Sequence, residues 1–278
     1  MKLTISSGNR SRCNIDTRGA HVSSLFLQEQ EILKPAADGI ATHGGAAALI
    51  PYANRVRDAT YIFEGKRYSL PKNDGNNSIH GLTMDVEWNP IQASDSSMLL
   101  HTEIKNRGLP SSVRCDMIFE IGESRLSCKF RIKNVGTKNT PLVIGSHPYF
   151  CFNGEWKIAS DSGIEMLRYV DGHFPDGTLI PVGDRIVPTD GTAYDNCFRS
   201  DGLIQLNLGY GLVEIDRSNM PYFVVYNGKY SESKSVAVEP MTGAPDAFNN
   251  SMGLERLRPH QTFECGYTIS LYDLDQSR

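Results

Sequence analysis

Strict alternation of apolar and polar residues constrains this chain more than any other feature. In RLSCKFRIK (125–133), Leu126, Cys128, Phe130 and Ile132 point one way, and Arg125, Ser127, Lys129, Arg131 and Lys133 the other. A period of two puts one face of a strand in a core and the other in water, as in antiparallel sheet. The preceding VRCDMIFEI (113–121) alternates through Val113, Cys115, Met117 and Phe119, and Gly122, Glu123 and Ser124 form a short hairpin loop between the two. YIFEGKRYSL (61–70) reads as a second hairpin turning at Glu64-Gly65-Lys66. Further strands are expected at 20–27, 98–106, 203–208, 211–216, 222–226, 235–238 and 262–271, with helix only as short pieces, for example around 245–256. Turn signals separate them: Asn-Asp-Gly at 73–75, Asn-Gly at 153–154 and 227–228, and Asp-Gly at 171–172, 176–177, 190–191 and 201–202.

Many short strands spaced by turns imply a sandwich or barrel, and 278 residues suffice for a large core. With no linker-like stretch or repeat, residues 1–278 are expected to form a single all-β domain. A formal net charge of −4 leaves no basic stripe, so no nucleic-acid or membrane partner is expected. No apolar run approaches the ~20 residues of a membrane helix. The six cysteines form no CxxC pair and read as small buried hydrophobes, and MKLTISSGNRSRCN does not read as a signal peptide, so a cytoplasmic location is expected.

Five segments combine a polar group with unusual local chemistry. LIPYANRVRD (49–58) carries Asn54 and Arg55, whose guanidinium suits sugar hydroxyls or a carboxylate, or is a plain surface charge. NNSIHGL (76–82) sets His80 between an apolar residue and a permissive glycine, a setting equally suited to a structural histidine. In VIGSHPYF (143–150), Pro148 is expected to stop a strand and leave His147 at its end. That histidine either fills the terminus or moves a proton. AYDNCF (193–198) offers Asp195, or simply an Asp-Asn turn. In SVAVEPMTGAPDAF (235–248), Val236 to Val238 form a strand expected to end at Glu239, again before a proline. Two strand ends would then each present one proton-transfer group, rigidly held, as general acid–base chemistry requires. The histidines lack HxxxH or HExxH spacing, and GxSxG, P-loop and GxGxxG motifs are missing, so neither metal nor cofactor is expected. A glycosidase pair of carboxylates, Glu239 with Asp195 or Asp246, stays open on these grounds.

Taken in order, PYANR followed by the YIFEGKRYSL hairpin, IHG, HPYF, YDNCF and VAVEPMTGAPDAFN resemble the aldose 1-epimerase (galactose mutarotase) family over most of the chain. The resemblance implies a β-supersandwich of antiparallel sheets with a sugar bound in an open cleft. It implies a catalytic base at Glu239 and a general acid at His147, with Arg55, His80, Asp195 and Asn54 holding the sugar. The implied reaction is cofactor-independent anomer exchange of an aldohexose by ring opening and closing. The implied partner is a small sugar, with the chain acting as a monomer or homodimer. Such chemistry calls for a carboxylate and an imidazolium on opposite sides of C1–O5. Both should titrate near neutrality, the glutamate raised by partial burial and the histidine near ~6.5.

SHPYFCFNG replaces the longer NHTYFNL-like segment of enzymes acting on free galactose, and Arg57-Asp58 stand where many members have an Asp-Gly turn. The HPYF form resembles a broader branch whose substrates include sugar 6-phosphates and sulfonated sugars. Arg57, Lys72 and Arg107 could bind such an anion or be solvated charges. A non-catalytic carbohydrate-binding protein on the same fold is the remaining alternative.

Overall fold

The alternation at 125–133 is realised residue by residue in the computed structural model, which describes residues 1–105, 107–188 and 191–272. Within the strand Arg125–Asn134, Leu126, Cys128, Phe130 and Ile132 are buried while Arg125, Lys129, Arg131 and Lys133 face solvent. It pairs antiparallel with Val113–Ile121 on one side and Thr262–Tyr272 on the other. Asp116 breaks the pattern as a buried acid, and its carboxylate is held by His101 Nδ1 at 2.8 Å and Arg114 Nε at 3.2 Å. Among the described residues, eighteen strands join in one hydrogen-bonded antiparallel network, accompanied by three two-stranded ribbons. This is the β-supersandwich. Its core is dominated by Trp88, Tyr52, Tyr61, Tyr149, Phe119, Phe130 and Phe150. Five of the six cysteines are buried among such residues, and all six are free.

Most expected strands occur within a residue or two of their expected limits, including Ser97–Ile104 for 98–106, whose last residue lies outside the described residues. The hairpin turning at Glu64-Gly65 joins Thr60–Phe63 to Lys66–Ser69. Two corrections concern length. Helix within 245–256 shrinks to Ala247–Asn250. The Asp-Gly at 176–177 lies inside a strand, because Lys157–Asp171 and Phe174–Ile186 form one long hairpin that turns at 171–174.

The third correction concerns the prolines. Neither Pro148 nor Pro240 ends its strand: the strands are Gly145–Cys151 and Ser235–Met241. A proline breaks a ladder only where its nitrogen would have donated. These two strands pair at Gly145↔Met241 and again at Tyr149↔Ala237, with no recorded pairing between those points. Counting inward along that register sets Ser146 against Pro240, His147 against Glu239, and Pro148 against Val238. The prolines therefore sit at diagonal corners of an open window in the sheet. Each strand stays in register through its other neighbour, with Pro148 opposite Ala46 and Pro240 opposite Phe223.

Candidate active site

The window fixes the two groups singled out for proton transfer. His147 and Glu239 stand on one rung, flanked by Ala47 and Val224, and the next rung on the same face runs Tyr149, Ala237, Tyr226, Asp195. Small or slim side chains at 47, 224 and 237 leave a hollow above this floor. His147 Nε2 and Glu239 Oε1 are 3.2 Å apart, with His147 5% and Glu239 2% exposed. The Tyr149 ring stacks on the imidazole at 4.8 Å. Its hydroxyl donates to Thr42 O, which fixes the ring.

A small clip closes the opposite wall. Arg55 pairs with Ile79, and His80 N donates to Asn54 O at 3.0 Å. Asn54 and His80 both take left-handed backbone (φ +55° and +62°), and Asn54 Oδ1 accepts the amide of Arg55. The His80 ring meets His147 edge-on at 5.2 Å. Arg55 Nε is held at 2.7 Å by Asp74. Gly81 lets this clip close on the neighbouring chain, since at φ +82° an added Cβ would lie 2.3 Å from Ile50 O and 2.6 Å from Ile50 N. Left-handed strain of ~1–2 kcal/mol plus overpacking of ~1–3 kcal/mol applies to any larger residue. Gly81→Ala is therefore expected to lower the melting temperature by on the order of 10 °C. An unchanged melt would refute the close-approach account.

Glu239, His147, Arg55, His80, Asp195 and Asn54 all line one cavity of about 470 Å³. All six residues expected from sequence are thus brought together. Asp246, the other carboxylate considered, is spent structurally: it accepts the Arg57 amide at 2.9 Å and the Asn249 side chain at 2.7 Å.

Burial governs the titration of the floor. Desolvation drives Glu239 well above the usual carboxylate range, the nearby charge of Asp195 pushes it further, and Arg55 opposes both. Desolvation likewise lowers His147 to about 3 and holds His80 well below its ordinary value. The expected rise of Glu239 is present. The expectation of a histidine near 6.5 is corrected, because the ring is almost wholly withdrawn from solvent. The two groups are also neighbours on one floor rather than on opposite sides of a ring, so both would meet a sugar from the same side. His147 Nδ1, Glu239 Oε2 and His80 Nδ1 are buried without a partner among the described residues. Such atoms are costly to keep, and all three belong to residues that line the cavity.

Sequence reasoning missed several lining residues. His43 stacks on Tyr230 at 3.4 Å and is held through Nδ1 by Asp38 at 2.7 Å. Tyr226 and Tyr230 add aromatic walls, and Asp74 orients Arg55. His173, on the tip of the long hairpin, reaches Asp195 with Nδ1 at 3.2 Å. Only the Asp-Gly turn at 171–172 hinted at that tip, and nothing local in THGGAAA pointed to His43.

The family model for aldose 1-epimerase matches residues 1–270. An uncharacterised Escherichia coli protein, YihR, is 26% identical over 90% of this chain and 87% of its own. Pig galactose mutarotase is 28% identical over 51% of this chain and 42% of its own. Among solved structures, a galactose mutarotase-like protein from Lactobacillus casei superposes with a TM-score of 0.84 at 18% identity, covering 98% of this chain and all of that one. The aldose epimerase homologue from C. elegans gives 0.83 at 17% identity, covering 98% and 99%. These two structures share the fold, and the match to the family model over nearly the whole chain places the protein in the aldose 1-epimerase family.

Proposed function

We propose that this protein interconverts the α and β anomers of an uncharged aldohexose, with Glu239 as base and His147 as acid. The observation that supports this best is the facing pair, 3.2 Å apart and buried, with a further unpartnered atom on each residue. Before sugar binds, burial leaves the pair's one proton on Glu239, so that proton first crosses the 3.2 Å to His147; in ring opening Glu239 then takes the proton of the anomeric hydroxyl while His147 delivers one to the ring oxygen. The C1–O5 bond breaks and C1=O1 forms. After rotation about C1–C2, His147 recovers the proton from O5 as that oxygen attacks C1, and Glu239 returns its proton to O1. O1 and O5 share one carbon, so two neighbouring groups on one floor can serve both. Across each half-reaction the pair only redistributes a single proton, a step that leaves the net charge of a buried site unchanged. Arg55, His80, Asn54 and Asp195 are assigned to the sugar's oxygens.

The charge inventory favours a neutral sugar over a phosphorylated or sulfonated one. Among the described residues, Arg55 is the one lysine or arginine on the cavity wall and is already paired with Asp74, while Asp74, Asp195 and Glu239 also line it. Of the other candidates for holding an anion, Arg107 donates to Leu82 O and sits 3.6 Å from Asp85, and neither it nor Lys72 lines the cavity. Arg57 is paired with Asp171. A purely sugar-binding protein has no need of a buried carboxyl facing an imidazole.

The test is anomer exchange of glucose, galactose and glucose 6-phosphate followed by NMR or polarimetry. Acceleration of a free hexose, with the 6-phosphate at least tenfold slower in kcat/KM, is expected. A preference for the phosphate would reverse the charge argument, and no acceleration of any sugar would remove the function.

A further inference from the structure

A second hollow opens beside the candidate active site. It has a volume of about 430 Å³ and shares Arg55 and Asp74 with the inner cavity. Each of the two exceeds the ~300 Å³ at which ligand sites begin. Three segments build the outer hollow: residues 55–58, the turn at 74–77, and the tip of the 157–186 hairpin with Asp171, His173 and Phe174.

The tip is anchored at both hollows. Asp171 pairs with Arg57 at 2.5 Å, Phe174 lies under the Arg57 guanidinium at 4.1 Å, and His173 reaches Asp195 of the inner cavity. A guanidinium laid on an aromatic ring and tied at one nitrogen is a preorganised set of donors, with N–H groups left for a ligand. Around it stand the Asp171 carboxylate and the side chains of Asn76 and Asn77. Asn76 has no hydrogen-bond partner among the described residues, and Asn77 uses only its oxygen, for the Asp58 amide. Planar donors and acceptors of this kind suit vicinal hydroxyls. The hollow sets two guanidinium groups, each already paired, against the carboxylates of Asp58, Asp74 and Asp171, a balance unsuited to a phosphate or sulfonate.

Glu239 and His147 line only the inner cavity, whereas Arg55 and Asp74 lie on the boundary. A hexose whose C1 meets the acid–base pair and whose far edge meets Arg55 would carry a substituent on that edge into the outer hollow. Resting on the anomer-exchange reading, we propose that the outer hollow is a subsite for a second neutral sugar unit. The preferred substrate is then the reducing-end residue of a 1→4- or 1→6-linked oligosaccharide.

The experiment compares kcat/KM for anomer exchange of reducing disaccharides of neutral hexoses with that of their free reducing-end monosaccharides. Wild type should favour at least one disaccharide by tenfold or more. Arg57→Ala should bring that ratio close to one. Asn76→Ala, on an exposed turn where misfolding is not at issue, should lower it about threefold. A wild-type ratio of one or below overturns the subsite, as does a tenfold ratio that neither substitution changes. In either case acceleration of the monosaccharide would leave the proposed function standing. If neither class of sugar is accelerated, the function itself falls.

Discussion

Glu239→Gln is expected to lower kcat for anomer exchange by about 10²–10⁴-fold, the usual contribution of one positioned acid or base. Sugar binding should survive, since the amide is isosteric and Arg55, His80 and Asp195 are untouched. Without sugar, the same substitution should make the protein more stable. Burial and Asp195 raise the carboxyl above its value in the unfolded chain, so the folded state binds the proton more tightly than the unfolded state does. Such a group favours folding below the unfolded pKa of ~4.3, and that contribution is lost as pH rises through the folded pKa. The wild type therefore bears a penalty at pH 8 that it does not bear at pH 4, and glutamine never bears it. Calorimetry should show the variant melting higher at pH 8 by on the order of 2–4 °C, about 1 kcal/mol, with the gap closing toward pH 4. Unchanged turnover would remove Glu239 as the base. A variant that melts lower at pH 8 would show that the buried carboxyl stabilises the fold rather than burdening it.

His147→Gln should cost a similar 10²–10⁴-fold, and the pH profile of the wild type should distinguish a buried pair from two independent groups. The pair is competent while it holds one proton. A second proton must charge His147, which burial holds down to about 3, so kcat/KM should stay level through pH 5 and 4. Loss of the last proton must ionise Glu239, held well above the ordinary carboxylate range, so activity should fall only on the alkaline side of that range. These limits belong to the pair and not to either residue alone. An acid limb near ~4.3 with an alkaline limb near ~6.5 would mean that both groups titrate as if in water, contrary to their burial. For histidine the linkage has the opposite sign. Its lowered pKa costs stability progressively as pH falls from ~6.5 to about 3, so the gain in melting temperature from His147→Gln should grow across that range.

Local chemistry made the strands legible, because alternation at 113–121 and 125–133 depends only on which face of one strand meets the core. Likewise Asn54, Arg55, His80, His147, Asp195 and Glu239 could be named from short motifs and the resemblance they compose. The role of the prolines could not be read the same way. A missing N–H matters only if a neighbour was to receive it, and which strands flank Gly145–Cys151 is a non-local fact. The pH behaviour of His147 was equally hidden, because desolvation comes from residues on several other strands. His43 and His173 lie on connections outside the motifs, and His173 is brought in by a 30-residue hairpin whose length the Asp-Gly at 176–177 disguised.

By itself, then, the sequence determined an all-β antiparallel architecture and the identities of six cavity residues, since side-chain alternation and short-range motifs act within a few residues. Only the tertiary structure decided that His147 and Glu239 face one another across an unpaired window, that both are buried far enough to favour their neutral forms, and that the cavity continues past Arg55 into a second hollow. Each depends on strand register and packing between segments up to about 180 residues apart, where distance along the chain says nothing of distance in space.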